Sequence, residues 1–137
     1  TREGLGAIIA PGRRAARDWF NLINASDVLQ PYQKPELDIV TYLPKVSSMS
    51  QLDEISHKLF VMAADTTRPQ QTHLATYVTT QSNLEARGVE LDWDVPQARI
   101  MRSVLMKPEQ EVLIPEMHWH VEQWTKRAMG LPSGLDK

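Results

Sequence analysis

Residues 35–44 read Pro-Glu-Leu-Asp-Ile-Val-Thr-Tyr-Leu-Pro, and this stretch decides the fold class. Every second residue from Leu37 to Leu43 lies on one face of an extended chain. The alternation, bounded by a proline at each end, predicts a β-strand over 36–43. The rest of the fold is built outward from that strand.

Two later segments also have the composition of strands. Residues 73–80 are rich in β-branched and aromatic side chains. Residues 98–106 are apolar on both faces, as expected of a central strand, and Pro108 ends that segment. The predicted fold class is α+β: a small three- or four-stranded, mainly antiparallel sheet covered by helices.

Three helices are predicted around the strands from apolar residues spaced three and four apart. The first occupies the leading segment and is interrupted by Pro11-Gly12, where we expect a kink or a restart. The second begins at a capping box formed by Ser48 and Gln51. The third runs from about 109 to 129, where Pro115 kinks it or delays its start. The predicted apolar stripes are Leu5, Ile8, Ile9, Ala16, Trp19, Phe20 and Ile23, then Leu52, Ile55, Leu59, Phe60 and Ala63, then Val112, Leu113, Met117, Val121 and Trp124.

The composition is that of one globular domain of 137 residues, with 42% hydrophobic and 23% charged residues. We expect a leading helical segment over 1–30, a sheet-and-helix core over 35–129 and a tail over 130–137. A net charge of −2 and short apolar runs argue against nucleic-acid and membrane partners. The absence of cysteine excludes disulfides, thiolate zinc sites and thiol catalysis. The first residues do not resemble a secretory signal, so the cytoplasm is the expected location.

The sequence His118-Trp119-His120 has the composition of a metal site but not the spacing. Residues two apart on a helix point about 200° away from each other, so the two histidines face opposite sides. Only the pair Glu116/His120 or the pair His118/Glu122 converges, whereas zinc needs three or four ligands. We therefore predict ion pairs on the helix surface and no bound metal.

The pair His57-Lys58 resembles the sequence around the cofactor lysine of some pyridoxal phosphate enzymes. It lies inside an amphipathic helix, with no phosphate-binding glycine or serine loop nearby. A solvated helix face is the preferred interpretation.

Trp93, between two aspartates, is interpreted as the anchor of a loop.

Arg102 does not fit its surroundings, because the segment around it is otherwise apolar. A buried guanidinium needs an anionic partner. The residues alone favour an internal carboxylate such as Asp38 on a neighbouring strand, and leave open a ligand carboxylate bound bidentately. Arg99, nearer the start of the same strand, is expected to be exposed.

The order of these elements resembles a known family. The segments that carry the resemblance are Gly4-Leu5-Gly6 opening a basic helix, Pro35 to Val40, Leu74 to Tyr77, and Met101-Arg102 followed by an acidic segment from Pro108 to Glu111. They are similar to the C-terminal small domain of pyridoxal phosphate-dependent amino acid decarboxylases. That family includes the glutamate, tyrosine and aromatic amino acid decarboxylases, all of the aspartate aminotransferase fold type.

The resemblance implies that the chain is a C-terminal part of such a lyase and is not catalytic alone. The cofactor lysine and the phosphate-binding loop would belong to a larger preceding domain, so no cofactor-binding, catalytic or metal residue is assigned here. Arg102 matches the arginine that binds the substrate carboxylate. The implied partners are the large domain, an amino acid substrate and a second copy in a homodimer. The alternative is a free-standing α+β ligand-binding or regulatory module.

Overall fold

The computed structural model describes residues 2–65, 74–105 and 108–136. Within these ranges, four α-helices and four strands follow one another, and short 3-10 helices cover Pro108–Leu113 and Gly134–Asp136. The elements are α1 (Arg2–Asn24), β1 (Leu29–Pro31), β2 (Ile39–Pro44), α2 (Met49–Ala63), β3 (Ala75–Thr80), α3 (Gln81–Ala86), β4 (Gln97–Val104) and α4 (Ile114–Ala128).

The strands form one antiparallel sheet in the order β1-β2-β4-β3. Strand β4 is central: its Arg102 lies opposite Thr41 of β2 on one side and Ala75 of β3 on the other. The short strand β1 extends the sheet beyond β2, with Leu29 opposite Pro44. The predicted α+β fold, with its small antiparallel sheet and helices, is confirmed.

One face of the sheet, which we call the covered face, is packed under α1 and α2, and α4 packs against both of these helices. Tyr42 and Met101 point into this layer and are wholly buried. The ring of Trp19, on α1, lies with its centroid 5.5 Å from that of Tyr42. Burial of these large side chains is the main source of stability in the domain.

Among the described residues, the opposite face is covered at one end only. There Leu84 of α3 and Tyr32 pack on Leu43 and Ile100 in a second apolar cluster. Residues that share this face farther along the sheet include Thr41 and Arg102, since side chains alternate along each strand. We call this second face the open face, because among the described residues its helical cover, from α3 and the first turn of α2, is confined to this end.

The three predicted strands correspond to β2, β3 and β4, with shifted ends. Leu37 has a φ of 56° and lies in a turn, so β2 begins at Ile39 and not at residue 36. The predicted residues His73 and Met106 lie outside the described residues. Sequence patterns missed β1 because three residues ending in a proline do not show a strand alternation.

The helix does not restart at Pro11, which is one of the two outcomes predicted there, since α1 continues through this residue. Gly12 has a specific packing role there. A Cβ atom on Gly12 would lie 2.6 Å from the carbonyl oxygen of Leu105, so only glycine allows α1 to approach the end of β4 this closely. In the described part of the first stripe, Ala16, Trp19 and Ile23 are buried as predicted.

The other two helices confirm most of their stripes. Ser48 caps α2, accepting a hydrogen bond from the Gln51 amide at 3.1 Å, but the Gln51 side chain bonds to the Ser47 amide and not to that of Ser48. Phe60 is 38% exposed, contrary to its predicted place in the core. The delayed start of α4 is confirmed, with Pro115 in its first turn.

Val112 and Leu113 do not belong to the apolar stripe of α4. They are 82% and 44% exposed, because they lie in the 3-10 helix before it, where the α-helical periodicity does not apply. Across the described ranges, no helix has the length and apolar character needed to cross a membrane.

Candidate functional site

Arg102 lies in the middle of the open face, on the central strand. Its neighbours on the adjacent strands are Thr41 and Ala75, both small side chains. The guanidinium therefore has room above the sheet and is half-buried. Tyr77, one diagonal step away on β3, is 45% exposed on the same face.

A second arginine, Arg87, reaches the same cleft from the C-terminal end of α3. Its guanidinium carbon lies 4.0 Å from the centroid of the Tyr32 ring, a cation–π distance. Its Nη2 donates to the Gln33 side-chain oxygen and its Nη1 to the Asn83 carbonyl, each at 2.9 Å. The Tyr32 hydroxyl is 2.8 Å from that of Thr79, which fixes the ring beneath the guanidinium.

These residues enclose a cleft of about 330 Å³, lined by Tyr32, Gln33, Ile39, Thr41, Tyr77, Arg87 and Arg102. We call it the arginine cleft. Its volume is in the range that holds a small organic molecule. Both charged residues lining it are cations, and none of the described lining residues is acidic. The chemistry of the cleft therefore suits an anion, bound by guanidinium hydrogen bonds.

The internal pair between Arg102 and Asp38 does not form. Across the described residues, the Arg102 side chain makes no ion pair or hydrogen bond. Asp38 is three residues from the position opposite Arg102 and points to the other side of the sheet, where its Cβ lies 3.0 Å from the position of a Cβ on Gly12. The prediction failed because Asp38 lies in the turn before β2, with its side chain beside α1, and is not part of the strand next to Arg102.

The arginine with an internal carboxylate is Arg99, on the covered face. Its Nε lies 2.9 Å from Asp53 Oδ1 and its Nη2 lies 3.0 Å from Oδ2, a bidentate pair with α2. The Arg99 amide also donates to Oδ1 at 2.9 Å. Hydrogen bonds from Arg99 hold the pKa of Asp53 below its ordinary value. Arg99 is thus half-buried, and the expectation of an exposed side chain is wrong.

Lys58 and His57 lie on the exposed side of α2. Lys58 Nζ is 3.2 Å from Glu54 Oε1, an ion pair one helical turn apart. His57 Nδ1 is 2.8 Å from Arg99 Nη1. Both side chains therefore belong to a solvated helix face, as predicted. Lys58 is exposed and already paired with Glu54, so its surroundings do not fit pyridoxal phosphate.

The two C-terminal histidines point to different sides of α4, as their spacing predicts. His118 is buried, and its Nε2 lies 3.4 Å from Glu122 Oε1. His120 is half-buried, with Nδ1 2.9 Å from the Glu116 carbonyl oxygen. Across the described residues, no three His, Cys, Asp or Glu side chains are placed to hold a metal ion.

Glu122 also accepts a hydrogen bond at 2.6 Å from Ser26, in the loop after α1. Serine, glutamate and histidine occur together here, but the order is wrong for nucleophilic catalysis. The serine proton points to the carboxylate, and the histidine contacts the other carboxylate oxygen. Ser26 Oγ also accepts hydrogen bonds from the amides of Val28 and Leu29, both at 3.2 Å. The group therefore joins α4 to β1.

Trp93 packs against the second apolar cluster, consistent with a loop anchor.

Sequence reasoning identified Arg102 but missed Arg87, Tyr32 and Tyr77. The sequence does contain a signal for α3, the helix that ends beside Arg87. Thr80 caps it by accepting the Asn83 amide at 3.4 Å, and Gly88 ends it with a φ of 76°. These two signals together predict a short helix that ends at Arg87. No local pattern indicates that this helix end lies beside Arg102.

No family model matches the sequence, and a search of curated proteins finds no match.

Proposed function

We propose that the chain is the C-terminal small domain of a pyridoxal phosphate-dependent amino acid decarboxylase. In this role its open face presents Arg102 to the carboxylate of the amino acid substrate. The observation that carries the proposal is the state of Arg102: it lies on the open face, in a cleft, with no carboxylate partner among the described residues. A half-buried guanidinium in that state is suited to an anionic ligand.

The architecture supports the same proposal. The resemblance to the decarboxylases implies a helix, a strand, a helix, two strands and a final helix, and the chain has these elements in that order with β1 and α3 added. The main helices lie on one side of the sheet. A sheet arranged in this way can present side chains from its other side to a second domain.

The cofactor is assigned to the large domain and not to this chain. Lys58 is exposed and paired with Glu54, and its surroundings do not fit the cofactor. The role proposed for the present residues is limited to orientation. A guanidinium that binds a carboxylate through two parallel hydrogen bonds fixes both its position and its plane. Such positioning lowers the entropy lost on the way to the transition state.

The test uses the enzyme that contains this segment together with the sequence naturally preceding it. Carbon dioxide release is measured over a panel of amino acids. We expect Arg102→Met to lower kcat/KM by roughly 100-fold, the size of effect seen when a positioning contact is lost. Arg99→Met is the matched control, since it removes the same group from the same strand on the covered face, and should leave kcat/KM almost unchanged. Equal losses in both variants would overturn the role of Arg102.

A free-standing ligand-binding module is the second candidate. It is favoured by the arginine cleft itself, in which two cations lie side by side and one of them is already stacked on Tyr32. The mass of the native polypeptide distinguishes the candidates. A polypeptide that carries a cofactor-binding domain before this segment supports the decarboxylase, and one limited to this segment supports the module. The proposed decarboxylase is a cytoplasmic homodimer, as the resemblance implies.

A further inference from the structure

We infer that Arg87 and Arg102 together form a binding site for a small dianion, a molecule with two acidic groups or one phosphate monoester. The inference deepens the proposed function. It rests on Arg102 as an anion contact and adds a second contact from α3, which narrows the class of ligand.

The first step is the number of unused donors. A guanidinium has five N–H groups. Arg87 uses one N–H toward Gln33 and one toward Asn83, so three remain. Arg102 uses none toward the described residues. The Tyr77 hydroxyl, on the same face, adds a neutral donor. The cleft thus has enough donors for two separate acidic groups.

The second step is charge. The cleft contains two cations and no acidic lining residue among those described. Two guanidiniums that share one cleft without a counter-ion repel each other, and one monoanion compensates only half of that charge. A dianion compensates both. The ligand class therefore follows from the pair of arginines, whereas Arg102 alone would suit a monocarboxylate.

The third step is preorganisation. Arg87 is held in place before any ligand arrives, by stacking at 4.0 Å on Tyr32 and by the amide oxygen of Gln33. Tyr32 is in turn 96% buried and bonded to Thr79. A donor that is already fixed loses little conformational entropy on binding. This support distinguishes Arg87 from an arginine that is only exposed at a helix end.

The experiment titrates the chain with succinate, ethyl phosphate and butyrate at low ionic strength, followed by the arginine side-chain N–H signals in NMR spectra. Succinate and butyrate have the same carbon number, so they differ mainly in the second acidic group. We expect at least one dianion to bind about tenfold more tightly than butyrate. The binding should weaken as salt is added. Comparison of succinate with ethyl phosphate shows whether the site prefers two carboxylates or one phosphate monoester.

Three variants separate the contacts. Arg87→Met should reduce dianion affinity to that of butyrate, Arg102→Met should remove the binding of both, and Arg99→Met should change neither. Amide spectra check that each variant is folded. If Arg102→Met does not fold, Arg102→Gln replaces it. A dianion preference that survives Arg87→Met overturns the inference and leaves the proposed function intact. Unchanged binding in the folded Arg102 variant overturns both.

Discussion

Two arginines three residues apart on β4 lie on opposite faces of the sheet and differ in their ion-pair partners. On the covered face, Arg99 forms a bidentate pair with Asp53, and His57 Nδ1 lies 2.8 Å from its Nη1. On the open face, Arg102 makes no ion pair with any described residue. A spacing of three along a strand places the two residues on opposite faces.

The difference shows what makes a charged residue a candidate for function. A helix that packs on a strand brings its own polar side chains, so the charge of Arg99 is balanced by a residue of the fold. No helix packs over Arg102 within the described part of the chain, so its charge is not balanced by a residue of that part of the fold. The helical cover, more than the type of residue, decides which arginine is structural.

The largest expected effect comes from apolar burial on the covered face. Met101→Ala removes a wholly buried side chain from the centre of the sheet and should lower the free energy of unfolding by about 3 kcal/mol. Tyr77→Ser on the open face, where the side chain is 45% exposed, should lower it by less than about 1 kcal/mol. Urea denaturation measures both. Equal losses would show that the open face carries as much of the core as the covered face.

Loss of the Arg99 pair should have an intermediate effect. Arg99→Met removes the bidentate contact with Asp53, whose side chain is 36% exposed, and should cost about 1 kcal/mol, the upper end for pairs with this exposure. The effect should depend on pH. Arg99 lowers the pKa of Asp53 from its ordinary 3.8, so the stabilisation is present above that value and is lost as the pH falls through the lower folded pKa.

Denaturation of the wild type and of Arg99→Met at a series of pH values checks this. The two free energies of unfolding should differ near neutral pH and converge as the pH falls below 3.8 and through the lower folded pKa of Asp53. Asp53→Asn removes the charge of the other partner, and its free energy of unfolding should converge with that of the wild type over the same pH range. A constant difference over the whole range would mean that Arg99 stabilises the fold by packing of its alkyl chain and not by its charge.

His118 should make stability fall on acidification. Burial is the main cause that lowers its pKa from the ordinary value of 6.5, while Glu122 opposes the shift. The unfolded chain therefore takes up a proton at a higher pH than the folded one, and stability decreases as the pH falls from about 6.5 through the lower folded pKa. His118→Gln should remove this part of the pH dependence. His120→Gln, on the same helix, is the control. A His118→Gln variant whose stability follows the wild-type pH curve would contradict the assignment.

Much of the fold could be predicted because its signals are local. Alternation around Ile39 indicated β2, and helical spacing indicated α2 through Leu52 and Leu59, which are buried. The errors occurred where tertiary contacts decide the structure. The three residues of β1 are extended because β2 pairs with them. The α1 helix continues through Pro11, without the restart that was one of the two outcomes predicted there.

The candidate site was only partly predictable for the same reason. Arg102 was identified as a charge in an apolar segment, which is a property of the sequence alone. Its lack of an internal partner depends on which face Asp38 occupies, and that depends on where β2 begins. Leu37, in the turn before β2, shifts that start. Arg87 lies far from Arg102 in the chain, and the two share a cleft only through the packing of α3 on the end of the sheet.

The smallest expected effect is the loss of Arg102 itself. An arginine with a buried internal partner would be costly to remove, by about 3 to 5 kcal/mol, because the partner would be left unpaired. No such partner exists among the described residues, so Arg102→Met should change the free energy of unfolding by no more than about 0.5 kcal/mol. Methionine retains the apolar stem that lies on the sheet and removes only the charge. Urea denaturation of this variant beside Arg99→Met compares the two faces directly. A loss for Arg102→Met larger than that for Arg99→Met would make Arg102 a structural residue and would leave the arginine cleft without its central contact.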